Sequence, residues 1–417
     1  MPEATGAAKE AFDVVVVGGG PVGACAAALL QAARVGATPL RVALIEPQPP
    51  SPPPEGAAPD ARVVAISRAS ERLLRSAGAW TRIAGDRACA YQRMRIWHES
   101  VRPDDPAVLV FDAADVGEPN LGYIVENRLL QSALIASFRA AGGHLAEAQF
   151  TSLAIGADAV SVETGAGTLR ARLVVGADGA RSAVRAATGL TAELSDYGQA
   201  AIVATVATGH PHQLTAWQRF MRQGTLAFLP LFDGSSSIVW SADAALAASL
   251  GGASDADFAR ALDRASDLAL GTTRLLGERL SFPLRRLAAP RYIAARVALV
   301  GDAAHVVHPL AGQGVNLGLL DAGALAQLVA AAVRQREDPG SLRVLRDYER
   351  WRKSEVAVMG TAIEGFDRLL AHGTGPIARA AQSGLGWVSR SQELRRVFIA
   401  RALGVSGELP EAARGAS

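Results

Sequence analysis

Residues 12–23 read FDVVVVGGGPVG, and the rest of the chain is organised around them. Asp13 is followed by four valines, then by Gly18, Gly19, Gly20, Pro21, Val22 and Gly23. An unbroken β-branched run is the pattern of a strand buried on both faces. Gly18 allows a tight turn after that strand. Gly20 leaves room for a pyrophosphate to approach the backbone, and Gly23 lets the next helix pack close to the sheet. That helix, predicted over 22–33, is rich in Ala and Leu. Its start offers free N–H groups and a partial positive charge. A second strand is predicted over 41–45. Glu46 at its end is placed to accept hydrogen bonds from an adenosine ribose. Strand, glycines, helix, strand and acid in this order point to a bound dinucleotide; the alternative is a glycine turn in an ordinary α/β unit. The motif does not separate FAD from NAD.

The 417 residues, 49% of them hydrophobic, suit one large domain or two intimately joined ones. A formal net charge of +2 gives no bulk electrostatic case for nucleic acid. Cys25 and Cys89 are isolated, so neither a disulfide nor a metal site is expected, and the pattern fits a reducing cytosol. The opening residues are polar and do not read as a signal peptide. No apolar run is expected to reach the roughly 20 residues of a membrane helix.

After Glu46 the stretch PQPPSPPP (47–54) can be neither helix nor central strand, and reads as a surface loop. Arg62 opens the ordered chain beyond it and is a candidate functional cation, with a plain surface arginine as the alternative. Strands are predicted over 91–98 and 107–112. A short strand over 123–127 ends at Asn127, a good N-cap for an amphipathic helix that starts at Arg128. Residues 173–185, LVVGADGARSAVR, read as a buried strand running into Asp178-Gly179, at the end where open α/β sheets bind ligands. From 190 to 290 the pattern changes to antiparallel strands (200–207, 225–231, 236–241) with one helix over 251–268. Such an insertion is a natural substrate cover. A strand over 297–300 then leads to GDAAH (301–305) and VVHPLAGQGVN (306–316). The glycines and proline prescribe a close loop, and a helix over 316–334 points its N–H groups back at it. His305 and His308 lack further ligands at suitable spacing, so no metal is expected. A charged helix over 345–363, around Tyr348 and Trp351, reads as a solvated packing helix.

Three separated pieces, GGGPVG with Glu46, GADGARSAVR and GDAAHVVHPLAGQGVNLG, resemble the FAD fingerprints of single-component flavin aromatic hydroxylases. HPLAGQGVNLG, DARVVAISRASERLL, GYIVENRLLQSAL and LAFLPLFDG resemble the ubiquinone-biosynthesis hydroxylase family, and the likeness runs from Phe12 to about Gly404. The resemblance implies an α/β fold: a Rossmann-like FAD-binding domain with an inserted mixed or antiparallel substrate domain and a helical C-terminus. On that division 1–90, 123–190 and 291–334 form the FAD-binding domain, 91–122 and 191–290 the substrate domain, and 335–417 the C-terminal helical region.

The resemblance also implies roles. Gly18, Gly20 and Gly23 would hold the pyrophosphate, and Glu46 the ribose. Arg62 would stand beside the flavin, Asn127 with Arg128 near the ribityl chain, and Asp178 with Gly179 at both FAD and NADPH. Asp302 would bind the ribityl or phosphate part. Pro309, Gly312, Gln313, Gly314, Val315 and Asn316 would line the isoalloxazine ring. His308 is a candidate to assist a substrate phenol, with packing in the loop as its alternative, and Pro309 is counted with it as catalytic. The implied activity is hydroxylation of the aromatic ring of a polyprenyl ubiquinone precursor through a flavin hydroperoxide, with NADPH or NADH as reductant and O2 as co-substrate. The alternatives are a hydroxylase of another phenolic compound and a non-catalytic FAD-binding assembly subunit. A bilayer-resident substrate suggests a cytoplasmic protein peripheral to a membrane or to a multi-enzyme assembly, and homo-oligomers stay open. The basic amphipathic stretch 387–403 is the candidate anchor, with internal packing as its alternative.

Overall fold

The structure is a computed structural model that describes residues 10–35, 38–85, 87–106, 108–307, 313–370 and 407–414. In chain order its main elements begin with β1 (Glu10–Val17), α1 (Pro21–Ala32), β2 (Val42–Ile45), β3 (Val63–Ser67) and β4 (Arg93–His98). Next come β5 (Gly122–Glu126), α2 (Asn127–Ala140), β6 (His144–Ala146) and β7 (Gly167–Gly176). The strands β8 (Glu193–Thr208), β9 (Thr215–Met221), β10 (Gly224–Pro230), β11 (Ser236–Asp243) and β12 (Leu280–Ala288) follow. The last are β13 (Val297–Leu299), α3 (Gln313–Arg334) and α4 (Leu342–Leu370).

The first sheet has the parallel order β6–β2–β1–β7–β13, and an antiparallel pair (Phe150–Ile155 and Val160–Thr164) extends it beside β7. Val14, Val15 and Val16 of β1 and Leu173, Val174 and Val175 of β7 are fully buried, as continuous apolar strands covered on both faces must be. The strands are added on one side of β1 with β2 and β6 and then on its other side with β7 and β13. The carboxyl ends of β1 and β7 therefore open a crevice at the switch point. There Gly18 turns at φ +100°, a conformation that an L side chain rarely adopts.

The second sheet runs β12–β8–β11–β10–β9–β4, with β9 and β4 parallel and the other pairs antiparallel. Within 190–290 every pairing of these strands is antiparallel, as expected; the parallel neighbour comes from 93–98. β9 is buried at six of its seven positions and shows no alternation to read. β12 carries Pro283, which argues against a strand in a sequence, yet Pro283 stands opposite Ala200 in the ladder. The helix expected over 251–268 is two helices, Ala244–Gly252 and Asp255–Ser266. Ser254 caps the second by accepting a hydrogen bond from the Asp257 N–H.

Asn127 is the first residue of α2 and not its cap. Glu126 occupies the cap position, but its buried carboxylate accepts from Arg87 Nε (2.7 Å), Arg87 Nη2 (2.6 Å) and the Asp60 N–H (2.8 Å). Arg87 also donates to the Ala57 carbonyl and lies over the Phe232 ring, so it ties the Pro-rich loop to the body.

α3 starts at 313, three residues earlier than expected. Its stretch Gly314–Arg334 is long and apolar enough to cross a membrane by length and composition, against the reading that no such run exists, and most of it is buried inside the protein. α4 is longer than expected and is not merely solvated: Tyr348 and Arg352 on it are fully buried.

Both cysteines are buried and free. Burial pushes the Cys25 thiol up to about 12, and burial with the charge of Asp233 pushes Cys89 up to about 11. Thiolate is the reactive form. The native protein is therefore expected to show no rapidly reacting thiol with a disulfide reagent at pH 8, and two after denaturation. A fast native reaction at Cys89 would refute this placement.

Candidate active site

The glycine turn owes its shape to contacts that admit no side chain. A Cβ on Gly23 would lie 1.9 Å from the Gly18 carbonyl oxygen, and one on Gly18 would lie 2.5 Å from that of Ala177. Gly20 differs, because a Cβ there would meet nothing within 4 Å. It faces a cavity of about 560 Å³. Gly20 is also the N-cap of α1, with no side chain to satisfy the first-turn N–H groups, and Pro21 has no N–H to satisfy.

Glu46 stands beside this turn. One carboxylate oxygen accepts from the Gly19 N–H (2.8 Å) and the other from the Gln48 N–H (3.0 Å). Each oxygen keeps acceptor capacity for a hydroxyl. A Cβ on Gly19 would lie 2.7 Å from Glu46 Cβ, so the second glycine is what admits the acid, a role that its spacing alone did not reveal.

The cavity runs from Gly20, Pro21 and Gly179 at the first sheet, past Val300, Asp302, Gly314 and Val315, to the inner face of the second sheet. There Ala201, Val203, Ala227, Leu229, Val239 and Phe282 line it. Among the described residues its only ionisable lining groups are Asp302 and Tyr91. Burial pushes the Tyr91 phenol up to about 12, so it stays neutral and able to donate. Asp302 is open to the cavity yet ringed by protein. That desolvation pushes its carboxyl above the ordinary value, against the pull of His305. It makes no hydrogen bond among the described residues.

The other expected site residues fall into three groups. Asn127 lines the cavity, its N–H bonded to the Arg62 carbonyl (3.0 Å). Arg62 is exposed and stacks over Phe282 at 4.5 Å, which puts a cation beside a lining ring and bridges β12 to the start of β3. Other side chains are committed elsewhere. Asp178 accepts from Ser182 Oγ (2.5 Å) and the Val184 N–H (3.0 Å), and so caps the short helix Ala183–Ala187. Arg128 donates to the Ser51 carbonyl and does not line the cavity. Asn316 accepts from the Ser67 N–H (3.0 Å) and donates to the Ala65 carbonyl (2.8 Å), which staples the start of α3 to β3. Gln313 is the first residue of α3. His308, Pro309 and Gly312 lie outside the described residues, as does the stretch 387–403.

One group was not foreseen. Asp321, fully buried on α3, accepts from His305 Nε2 (2.6 Å), the Gly301 N–H (3.0 Å) and Arg352 Nε (2.7 Å). Burial would push its carboxyl up, but His305 and Arg352 win and hold it below the ordinary value. The signal was present: Asp321 is the one acid in the apolar stretch 313–333, and a lone charge in such a stretch needs a partner.

These residues suit a dinucleotide with a flat ring system. The turn leaves empty space at Gly20, the starts of α1 and α3 both meet the cavity, and a carboxylate with no side-chain partner among the described residues opens into it. The class so defined is a nucleotide-binding flavoprotein with an attached apolar chamber. The sequence profile of the FAD binding domain family matches residues 11–359. The chain belongs to that family, and is an FAD-dependent monooxygenase within it. Ubiquinone hydroxylase UbiL of Rhodospirillum rubrum is 37% identical over 413 residues, covering 98% of this chain and 94% of that protein. The 3-demethoxyubiquinol 3-hydroxylase of Escherichia coli is 34% identical over 396 residues, covering 94% and 98%. The solved structure of p-nitrophenol 4-monooxygenase PnpA from Pseudomonas putida shares the fold, with a TM-score of 0.73 at 22% identity over 94% of this chain and 98% of that one.

Proposed function

We propose that this chain hydroxylates the aromatic ring of a polyprenyl ubiquinone precursor, with FAD, NADPH or NADH, and O2. The observation that carries the reading is one continuous apolar cavity that joins the glycine turn to the inner face of the second sheet. Cofactor and ring can share one chamber, and its apolar walls keep water from competing for the reactive oxygen. The substrates named for the Rhodospirillum and Escherichia relatives support the choice of ring.

Bound FAD supplies the electron acceptor for the nicotinamide and the site of oxygen activation. The chain supplies the rest. Gly20 and the start of α1 would receive the pyrophosphate, at a turn that Gly18 and Gly23 shape by close packing, and Glu46 would accept from the ribose hydroxyls. Asp302 accepts from the ribityl hydroxyls, with Asn127 and Gly179 alongside. No cation lines the cavity among the described residues. The start of α3 at Gly314 and Val315, and Arg62 over the lining ring of Phe282, would supply the positive potential that negative charge on the reduced ring calls for. Asp178, Arg128 and Asn316 act one step back, through the helix, loop and strand they fasten. His308, Pro309, Gly312 and Gln313 complete the loop by the ring on sequence grounds.

The test is NAD(P)H oxidation stimulated by a prenylated phenol, with labelled oxygen from O2 appearing in the product. Purified FAD-loaded protein that labels no quinone precursor would overturn the substrate. Labelling of a different phenol would replace it.

The same reading brings the protein to a membrane surface or an enzyme assembly on the cytoplasmic side, through the basic stretch 387–403. Replacing Arg395, Arg396 and Arg401 by Glu is expected to abolish co-sedimentation with anionic liposomes while flavin content stays unchanged. Equal sedimentation of variant and wild type would rule that anchor out.

A further inference from the structure

The chain from Gly301 to His305 is gripped from behind at both ends by one side chain. Asp321 takes the Gly301 N–H at 3.0 Å and His305 Nε2 at 2.6 Å on the same oxygen. Asp302, between those ends, turns the other way and opens into the cavity. The second oxygen of Asp321 takes Arg352 Nε at 2.7 Å, and Arg352 Nη2 reaches the Leu317 carbonyl at 3.4 Å. An ionised carboxylate only accepts, so His305 must donate from Nε2, which fixes its ring plane. Exposure is 4% for His305, 0% for Asp321 and 1% for Arg352. All three are thus shielded from bulk water.

α4 fastens the same segment at two further points. Tyr348 donates its hydroxyl to the Leu299 carbonyl at 2.7 Å, two residues before Gly301. Glu349 accepts from the Tyr292 N–H at 2.7 Å, and the Tyr292 ring lies 5.8 Å from that of His305. Behind the cavity wall, therefore, α3 and α4 together brace a turn whose front carries the only carboxylate lining the cavity among the described residues.

We propose that Asp321 is a positioning residue of the flavin site: with Arg352 as counter-ion it sets the Gly301–His305 turn, and through it Asp302, for binding FAD. Asp321 itself never touches the cofactor. α4 thereby becomes part of the flavin site, although it contributes no lining residue among those described. A buried ion pair is weak evidence for stability, because an apolar or neutral replacement of both partners is often tolerated. The hydrogen bonds to Gly301 and His305 are what an apolar replacement cannot reproduce.

The test compares Asp321→Asn, whose Oδ1 can still accept both bonds, with the double variant Asp321→Leu/Arg352→Met, which removes the acceptor and leaves no unpaired buried charge. The readouts are FAD dissociation constant by fluorescence quenching, visible circular dichroism of the bound flavin, and thermal midpoint of the FAD-free protein. The double variant is expected to fold with a midpoint near that of the wild type. It should bind FAD at least about tenfold more weakly, a difference of about 1.4 kcal/mol, with an altered flavin dichroic band. Arg352→Lys, which keeps the cation, should recover most of the affinity. A folded double variant with wild-type affinity and dichroism would overturn the proposal. So would failure of all these variants to fold, since the network would then be a folding element alone. The outcome depends on FAD binding and not on the substrate, so loss of the ubiquinone reading would leave this test intact.

Discussion

Gly20→Val is expected to remove FAD binding while leaving the FAD-free protein about as stable as the wild type. Gly23→Ala, a smaller change three residues on, should damage the protein itself. The space beyond Gly20 is cavity: a Cβ there meets no protein atom within 4 Å, and the residue's φ of −57° and ψ of 172° suit any L side chain. The valine would fill volume that the pyrophosphate needs and cost little else. Changes at sites free of protein contacts usually stay within about 0.5 kcal/mol. At Gly23 the methyl would sit 1.9 Å from the Gly18 carbonyl oxygen and 2.8 Å from Ala177 Cβ. Forced overpacking of that kind costs about 1–3 kcal/mol or more. Urea unfolding of FAD-free protein and flavin retention on gel filtration separate the two effects. If Gly20→Val retains stoichiometric FAD, the cavity at this turn is not where the pyrophosphate binds.

The first sheet was legible in the sequence for a physical reason. Its strands are short apolar runs buried on both faces, and four successive valines at 14–17 have few other fates. The glycine turn was legible because backbone proximity leaves a compositional mark. The second sheet was only partly legible. β9 is buried almost throughout and so lacks the alternation that marks a strand, and Pro283 disguised β12. Side-chain commitments were the least legible. Nothing in GADGARSAVR tells that the Asp178 carboxylate accepts from Ser182 Oγ and the Val184 N–H at the start of its own helix. Arg352 lies in the run ERWRK, which reads as solvated surface. Only the fold shows that it is the partner of Asp321, 31 residues earlier.

Arg352→Met is accordingly expected to destabilise the protein by about 3–5 kcal/mol at neutral pH, the usual cost of leaving one charge of a buried pair alone. The pH dependence should also change sign. In the wild type Asp321 is held below its ordinary value, so the unfolded chain binds its proton more readily than the native protein does. Stability from this group is then fully present above the ordinary carboxylate value, about pH 4, and is lost as pH falls through the lower folded value. Without Arg352, burial opposes a lone carboxylate, and the native state gains by taking up one proton. That proton resides on Asp321, which the native protein then protonates more readily than the unfolded chain does. Stability of Arg352→Met should therefore fall as pH rises from about 4 towards 8, a range in which the contribution of wild-type Asp321 stays constant. Chemical unfolding of both proteins at intervals across that range measures the slope difference directly. Parallel curves would mean that Arg352 does not carry the charge balance of Asp321. A parallel shift of less than about 1 kcal/mol would place the pair with ordinary surface ion pairs, against its full burial.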